Sequence, residues 1–74
     1  MDRNYEKQVG TKIRILREKA GLTQDMLAAR LQTMGCDITR SALAKIEVAQ
    51  RHLYPDEIRW LKHILQVEYN DILE

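Results

Sequence analysis

Apolar residues recur along the chain at the spacing of amphipathic helices, and the sequence contains no strand-like alternation of apolar and polar residues. The first apolar stripe follows intervals of four, four and three residues and consists of Tyr5, Val9, Ile13 and Leu16. This stripe predicts a helix from Tyr5 to Lys19. Gly21 comes shortly after it, and glycine commonly ends a helix because it adopts the left-handed backbone conformation at little cost.

Two threonines mark the starts of the next two predicted helices. Thr23 and Thr39 each precede a short apolar pattern, and a threonine hydroxyl at this position accepts a hydrogen bond from the first helical turn. The second helix is expected to end near Gly35, and its apolar side consists of Leu27, Ala28 and Leu31. The buried side of the third consists of Ile38, Ala42, Leu43 and Ile46. Its outer side is small, polar and basic, and consists of Arg40, Ser41, Ala44 and Lys45.

A loop over residues 50–54 separates the third predicted helix from the fourth. Pro55 suits the first turn of a helix, where its missing N–H costs nothing. The apolar positions that continue the core are Ile58, Leu61 and Leu65, with Trp60 and Ile64 on a flank. A last short helix is predicted within residues 69–73. The pattern as a whole predicts an all-α fold of four to five helices.

Length and composition limit the chain to one small domain. A chain of 74 residues buries only about 60% of its extended surface on folding. No apolar run approaches the roughly 18 residues of a membrane span. Cys36 is the single cysteine, which excludes an internal disulfide framework and suits a reducing cytoplasm. We therefore expect residues 1–74 to form a single cytoplasmic domain, with an ordered helical core over about residues 5–73.

No pattern in the sequence predicts catalysis. A nucleophile–base pair, a glycine-rich phosphate loop and a metal-ligand cluster are all missing, and the carboxylates are scattered over predicted helix surfaces. His52 and His63 have no partners at ligand spacing and are expected to be surface side chains rather than metal ligands. We expect no enzymatic activity, no cofactor, no metal and no small-molecule ligand.

The net charge of +1 conceals a division along the chain. Residues 1–45 carry nine Lys/Arg and five Asp/Glu, a balance of +4, whereas residues 46–74 carry three Lys/Arg and six Asp/Glu, a balance of −3. Such a division suits a protein that meets a polyanion at one end. Chance and solvated helix faces explain the same charges, so the division alone does not decide between these readings.

Several motifs occur in an order typical of one family. They are Ile13-Arg14-x-Leu16-Arg17-Glu18, Gly21-Leu22-Thr23-Gln24, Leu27-Ala28, Leu31 and Ser41-x-Leu43-x-Lys45-Ile46-Glu47. Together they resemble the helix-turn-helix domain of the lambda repressor/Cro/Xre family, and the similarity covers the chain from Val9 to Leu73. The resemblance implies a compact DNA-binding domain in which the second and third helices form the helix-turn-helix.

The resemblance also implies roles for individual residues. In that family the third helix lies in the major groove and contacts bases with its N-terminal half. The implied base contacts are Arg40, Ser41, Ala44 and Lys45. The implied phosphate contacts are Gln24, Thr39, Arg51 and His52. The chemistry suits these roles, because arginine pairs with guanine O6 and N7 and helix N-termini attract phosphate. Arg17 and Glu47 match the family's ion pair between the first and third helices.

Two departures from the family pattern bear on the site. The connection between Leu31 and Thr39 is several residues longer than the usual tight turn, which puts the register of the base contacts in question. Ala49 stands where many members carry glycine, so we expect a different backbone path there.

The sequence therefore predicts a sequence-specific regulator, of the phage or mobile-element repressor type, that binds double-stranded DNA. A single module of this size contacts few base pairs, so we expect a homodimer on a pseudo-palindromic operator. The candidate dimer surface consists of Trp60, Ile64, Tyr69, Ile72 and Leu73. The alternatives are an antitoxin or a protein-binding adaptor with little DNA specificity, or the N-terminal part of a longer regulator. The low net charge favours the adaptor, whereas the basic outer face of the third helix opposes it.

Overall fold

Five helices make up the regular structure of residues 2–74, which the computed structural model describes. They are α1 Arg3–Lys19, α2 Gln24–Thr33, α3 Arg40–Glu47, α4 Pro55–Leu65 and α5 Tyr69–Leu73. Residues 2–74 contain no strand, which confirms the all-α prediction. No helix among these residues has both the length and the hydropathy needed to cross a membrane.

Local capping explains where the helices begin and end. The Thr23 and Thr39 hydroxyls each accept a hydrogen bond of 3.1 Å from the backbone N–H three residues ahead, as predicted. Asp2 caps α1 in the same way at 2.9 Å, so this helix begins before the predicted Tyr5. Gly21 and Gly35 have positive φ angles of 74° and 89° and end α1 and α2.

One apolar core joins the five helices, and it places α3 against α1 and α2. The largest fully buried side chains are Ile13, Leu27, Leu31, Ile38, Leu43, Leu61 and Ile72. Helix α1 packs on α3 and α5, and helix α2 packs on α3 and α4. The inner side of α3 is therefore covered, and its opposite side remains free for a partner.

The contact between α1 and α3 is closest at Gly10. A Cβ atom at this position would lie 2.6 Å from the carbonyl oxygen of Ile46 and 2.7 Å from that of Glu47. Both oxygens belong to the last turn of α3. The absence of a side chain at Gly10 therefore sets how closely the two helices approach.

The structure shows the conformation of both departures from the family pattern, the long connection between α2 and α3 and the alanine at position 49. Residues 34–39 connect α2 to α3. Within this connection Cys36 and Ile38 are buried, and Gln32 Nε2 donates to the Ile38 carbonyl at 3.2 Å. Ala49 has a φ of 61°, the left-handed conformation that glycine favours. The expected change of backbone path at Ala49 is therefore wrong, and alanine adopts a strained conformation instead.

The predicted dimer surface is not a single patch. Ile72 is fully buried in the core, so its assignment to a surface is wrong. Tyr69 lies beside Lys62, whose Nζ is 5.2 Å from the centre of the Tyr69 ring. Trp60 is two positions from Lys62, which places it on the other side of α4 because successive helical residues are about 100° apart. Trp60 and Ile64 therefore lie on one flank of α4, and Tyr69 lies towards the other. Leu73 is four residues after Tyr69 and so shares its side of α5.

Candidate nucleic-acid interface

The outer face of α3 presents the four residues predicted to contact bases. Arg40, Ser41 and Lys45 are exposed and Ala44 is half-buried. Their positions along the helix repeat at four residues, so they share one side. This side continues into Val48, which is 57% exposed and lies at the end of α3. The face is therefore continuous from the first residue of α3 to the start of the following loop.

A buried carboxylate fixes α3 to the two preceding helices. Glu47 accepts hydrogen bonds from Arg17 at 2.7 Å (Nε to Oε2) and 3.1 Å (Nη2 to Oε1). Gln24 Nε2 donates to the same Glu47 Oε1 at 3.1 Å, and Arg17 Nη1 donates to the Leu22 carbonyl at 2.9 Å. The hydrogen bond to Glu47 raises the pKa of Arg17, which stays charged. One carboxylate thus holds α1, the start of α2 and the end of α3 in register.

Replacing Glu47 with alanine is expected to destabilise the domain by about 3–5 kcal/mol, because it leaves the buried guanidinium of Arg17 without its partner. Urea unfolding monitored by circular dichroism measures this loss. The double variant Arg17→Met/Glu47→Leu removes both charges together and is expected to recover much of it. A loss below about 1 kcal/mol in Glu47→Ala would show that the pair does not fix α3.

Gln24 and Thr39 lie at the N-termini of α2 and α3, where phosphate contacts were predicted. Only one of the two N–H groups of the Gln24 amide is needed for the bond to Glu47. The Thr39 oxygen accepts the capping hydrogen bond, so its own O–H remains a donor. Both side chains therefore keep a donor for a phosphate oxygen.

Arg51 and His52 have partners within the chain that no sequence pattern indicates. Arg51 binds the Glu57 carboxylate through two hydrogen bonds of 2.9 Å and donates to the His52 carbonyl at 3.0 Å. His52 Nδ1 lies 2.7 Å from Glu6 Oε1. Arg51 therefore links the loop to α4, and His52 links it to α1. The other ring nitrogen of His52, Nε2, takes no part in the contact with Glu6.

Comparison with known proteins identifies a family and a similar solved structure. The family model described as a helix-turn-helix domain matches residues 8–69. The chain belongs to this helix-turn-helix family. The crystal structure of the DNA-binding domain of BldD matches with a TM-score of 0.84 and 20% identity over the whole of both chains. It confirms the predicted lambda-repressor-like fold. None of the curated proteins matches the chain significantly.

In this helix-turn-helix domain, the loop after α3 depends on an ionised Glu57. Burial by itself raises the pKa of Glu57, but hydrogen bonds from Arg51 and the Tyr54 N–H, together with the Arg51 charge, outweigh it. The pKa of Glu57 consequently lies below its ordinary value of 4.5. The loop and the first turn of α4 are joined through this carboxylate, because it also accepts from the Tyr54 N–H at 3.0 Å.

The lowered pKa of Glu57 predicts a dependence of stability on pH. A carboxyl whose pKa is lower in the folded state stabilises the fold above its unfolded pKa, and this contribution is lost as pH falls through the folded pKa. We expect the free energy of unfolding to decrease as pH falls below about 4.5. Glu57→Gln should be less stable than the wild type at pH 7 and should lose less on acidification. The exposed Glu18→Gln is the control, and an equal loss in wild type and Glu57→Gln would contradict the prediction.

Proposed function

We propose that the protein is a sequence-specific, DNA-binding transcriptional regulator and that α3 enters the major groove. The observation that carries this proposal is the free outer face of α3, which presents two cations and two small residues on a helix fixed from behind by Glu47. Family membership supports the same conclusion. A helix held in this way presents its side chains at fixed positions, as base recognition requires.

The side chains of α3 suit contacts with base edges. Arg40 has the donor fork that pairs with guanine O6 and N7, and Lys45, one turn further on, has an ammonium for guanine or phosphate. Ser41 both donates and accepts, and the Ala44 methyl group suits contact with the methyl group of thymine. Phosphate contacts from Gln24 and Thr39 on one side, and from Arg51 and His52 on the other, would fix the position of the helix.

We further propose that the regulator acts as a cytoplasmic homodimer that represses transcription by occupying a pseudo-palindromic operator, without enzymatic activity. Residues 1–74 constitute the DNA-binding domain in this proposal. Half-sites would then lie about 34 Å apart, one helical turn along the DNA. With Ile72 buried, the candidate contacts between protomers are two separate pairs of residues, Trp60 with Ile64 and Tyr69 with Leu73.

Selection of bound duplexes from a random DNA pool tests the proposal. We expect enrichment of an inverted repeat, and an affinity for the selected duplex that falls steeply between about 50 and 200 mM salt as phosphate-bound counterions are released. A scrambled duplex of equal length is the control. Failure to enrich any sequence would contradict the proposal and favour a protein-binding adaptor or an antitoxin.

A further inference from the structure

An acidic side chain lies at the start of the base-contacting face. Asp25, in the first turn of α2, has its Oδ1 atom 3.6 Å from Nε of Arg40, the first residue of α3. The two side chains are 77% and 65% exposed, so solvent screens the contact in the free protein. A carboxylate next to a surface for a polyanion repels that polyanion. A favourable role for Asp25 must therefore come through the residue that it contacts.

The contact with Asp25 leaves the two Nη groups of the Arg40 guanidinium available for a base. Asp25 approaches Nε, which is on the side of the guanidinium nearest the chain. The two Nη groups form the outer edge, and a guanine presents its O6 and N7 atoms as a matching pair of acceptors. Arginine is long and flexible, so an attraction at Nε favours some of the directions in which its Nη groups can extend.

We propose that Asp25 is a positioning residue that directs Arg40 towards guanine and thereby sets base specificity without contacting the DNA itself. This inference rests on the proposed function, since it requires Arg40 to face a base. In a DNA complex the contact is shielded from water, which strengthens the attraction between the carboxylate and the guanidinium. The outer edge of Arg40 is then held in place for the bidentate contact.

Asp25 is also expected to weaken binding to unrelated DNA. Where no guanine faces Arg40, the carboxylate offsets the arginine charge and so reduces the attraction of Arg40 to the neighbouring phosphates. Asp25 therefore increases discrimination in two ways, by improving the correct contact and by penalising the incorrect ones. Loss of a residue with a purely structural role would not weaken specific binding and at the same time strengthen binding to unrelated DNA.

The variant Asp25→Asn tests the inference, with the duplex selected by the wild type as the probe. Discrimination is measured at the base pair of this duplex where the wild type prefers one base and the Arg40→Ala variant shows no preference. We expect Asp25→Asn to lower discrimination at that base pair by about tenfold, within the range of a bidentate contact. Its affinity for a scrambled duplex should rise by about two- to fivefold, because one negative charge near phosphate is removed.

Asp37→Asn is the matched control. Asp37 is exposed, lies in the connection before α3, and has no cation within 4.0 Å among residues 2–74. This variant removes the same charge and should leave base discrimination unchanged. In the Arg40→Ala background, Asp25→Asn should have no further effect on discrimination.

Three results would overturn the inference. They are unchanged discrimination in Asp25→Asn, an equal loss in Asp37→Asn, and a loss that persists in the Arg40→Ala background. Thermal midpoints of all variants show whether folding is affected. If the wild type itself prefers no sequence, the proposed function fails first. If the wild type is specific and Asp25→Asn is equally specific, only the inference about Asp25 fails.

Discussion

Arg40→Glu is expected to abolish sequence-specific DNA binding and to leave the thermal midpoint nearly unchanged. The substitution removes the bidentate donor fork and places a negative charge against the bases and phosphates, so affinity for the selected duplex should fall by at least about 100-fold. The Arg40 side chain is 65% exposed and its ion pair with Asp25 is open to solvent, so folding depends little on it. Fluorescence anisotropy with labelled duplex and a thermal melt measure the two effects.

The matched control is Arg59→Glu, which reverses the charge of an exposed arginine on α4. This variant should retain most of the specific affinity. If Arg40→Glu binds the selected duplex as the wild type does, the assignment of Arg40 to a base contact is wrong. If Arg40→Glu unfolds the domain, the placement of α3 on the surface is wrong.

Gly10→Ala is expected to produce the largest loss of stability of any single methyl addition on α1. The new Cβ would meet two backbone oxygens of α3 at 2.6 and 2.7 Å, and backbone does not move aside as a flexible side chain does. Overpacking of this kind costs about 1–3 kcal/mol and occasionally more. Because both close atoms are backbone, we expect a cost at the upper end, about 3 kcal/mol. Alanine otherwise favours a helix over glycine by about 1 kcal/mol, so we expect a net loss of about 2 kcal/mol. Each kcal/mol lowers Tm by about 4–8 °C in a domain of this size.

The result also bears on DNA binding, since α1 can accommodate the methyl group only by moving away from α3. Specific affinity should therefore fall together with Tm in Gly10→Ala. Thr11→Ala, on the exposed side of α1, is the control and should change Tm little. A Gly10→Ala protein as stable as the wild type would show that the two helices are less closely packed than the structure indicates.

The sequence predicted the parts of the fold that depend on local chemistry. The threonine caps, the terminating glycines and the apolar stripes involve residues within one or two turns of each other, and the structure confirms them. The outer face of α3 was also predictable from the sequence. Once the apolar stripe of a short helix is assigned to the core, the remaining residues must lie on the exposed side.

Contacts between distant parts of the chain were missed. His52 and Glu6 are 46 positions apart, and no periodicity indicates that such residues meet. Arg51 and Glu57 are only six positions apart, but they lie on either side of the start of α4, and no helical spacing joins a loop residue to a helix residue. Ile72 resembled a surface residue because an apolar residue near the end of a chain gives no sign of whether the core is already filled. The close approach at Gly10 is equally invisible, since it depends on where α3 ends in space.

The order of the helices along the chain is separable from the way in which they pack. The Tyr5 hydroxyl donates to the Leu73 carbonyl at 2.6 Å, so the beginning of α1 and the end of α5 are neighbours. A few glycines could join residue 74 to residue 2, and new ends could be opened at residues 66–68, between α4 and α5. Such a circular permutant would run α5, α1, α2, α3, α4 and would keep both the core and the outer face of α3. We therefore expect the DNA-binding surface to depend on how the helices pack and not on their order along the chain.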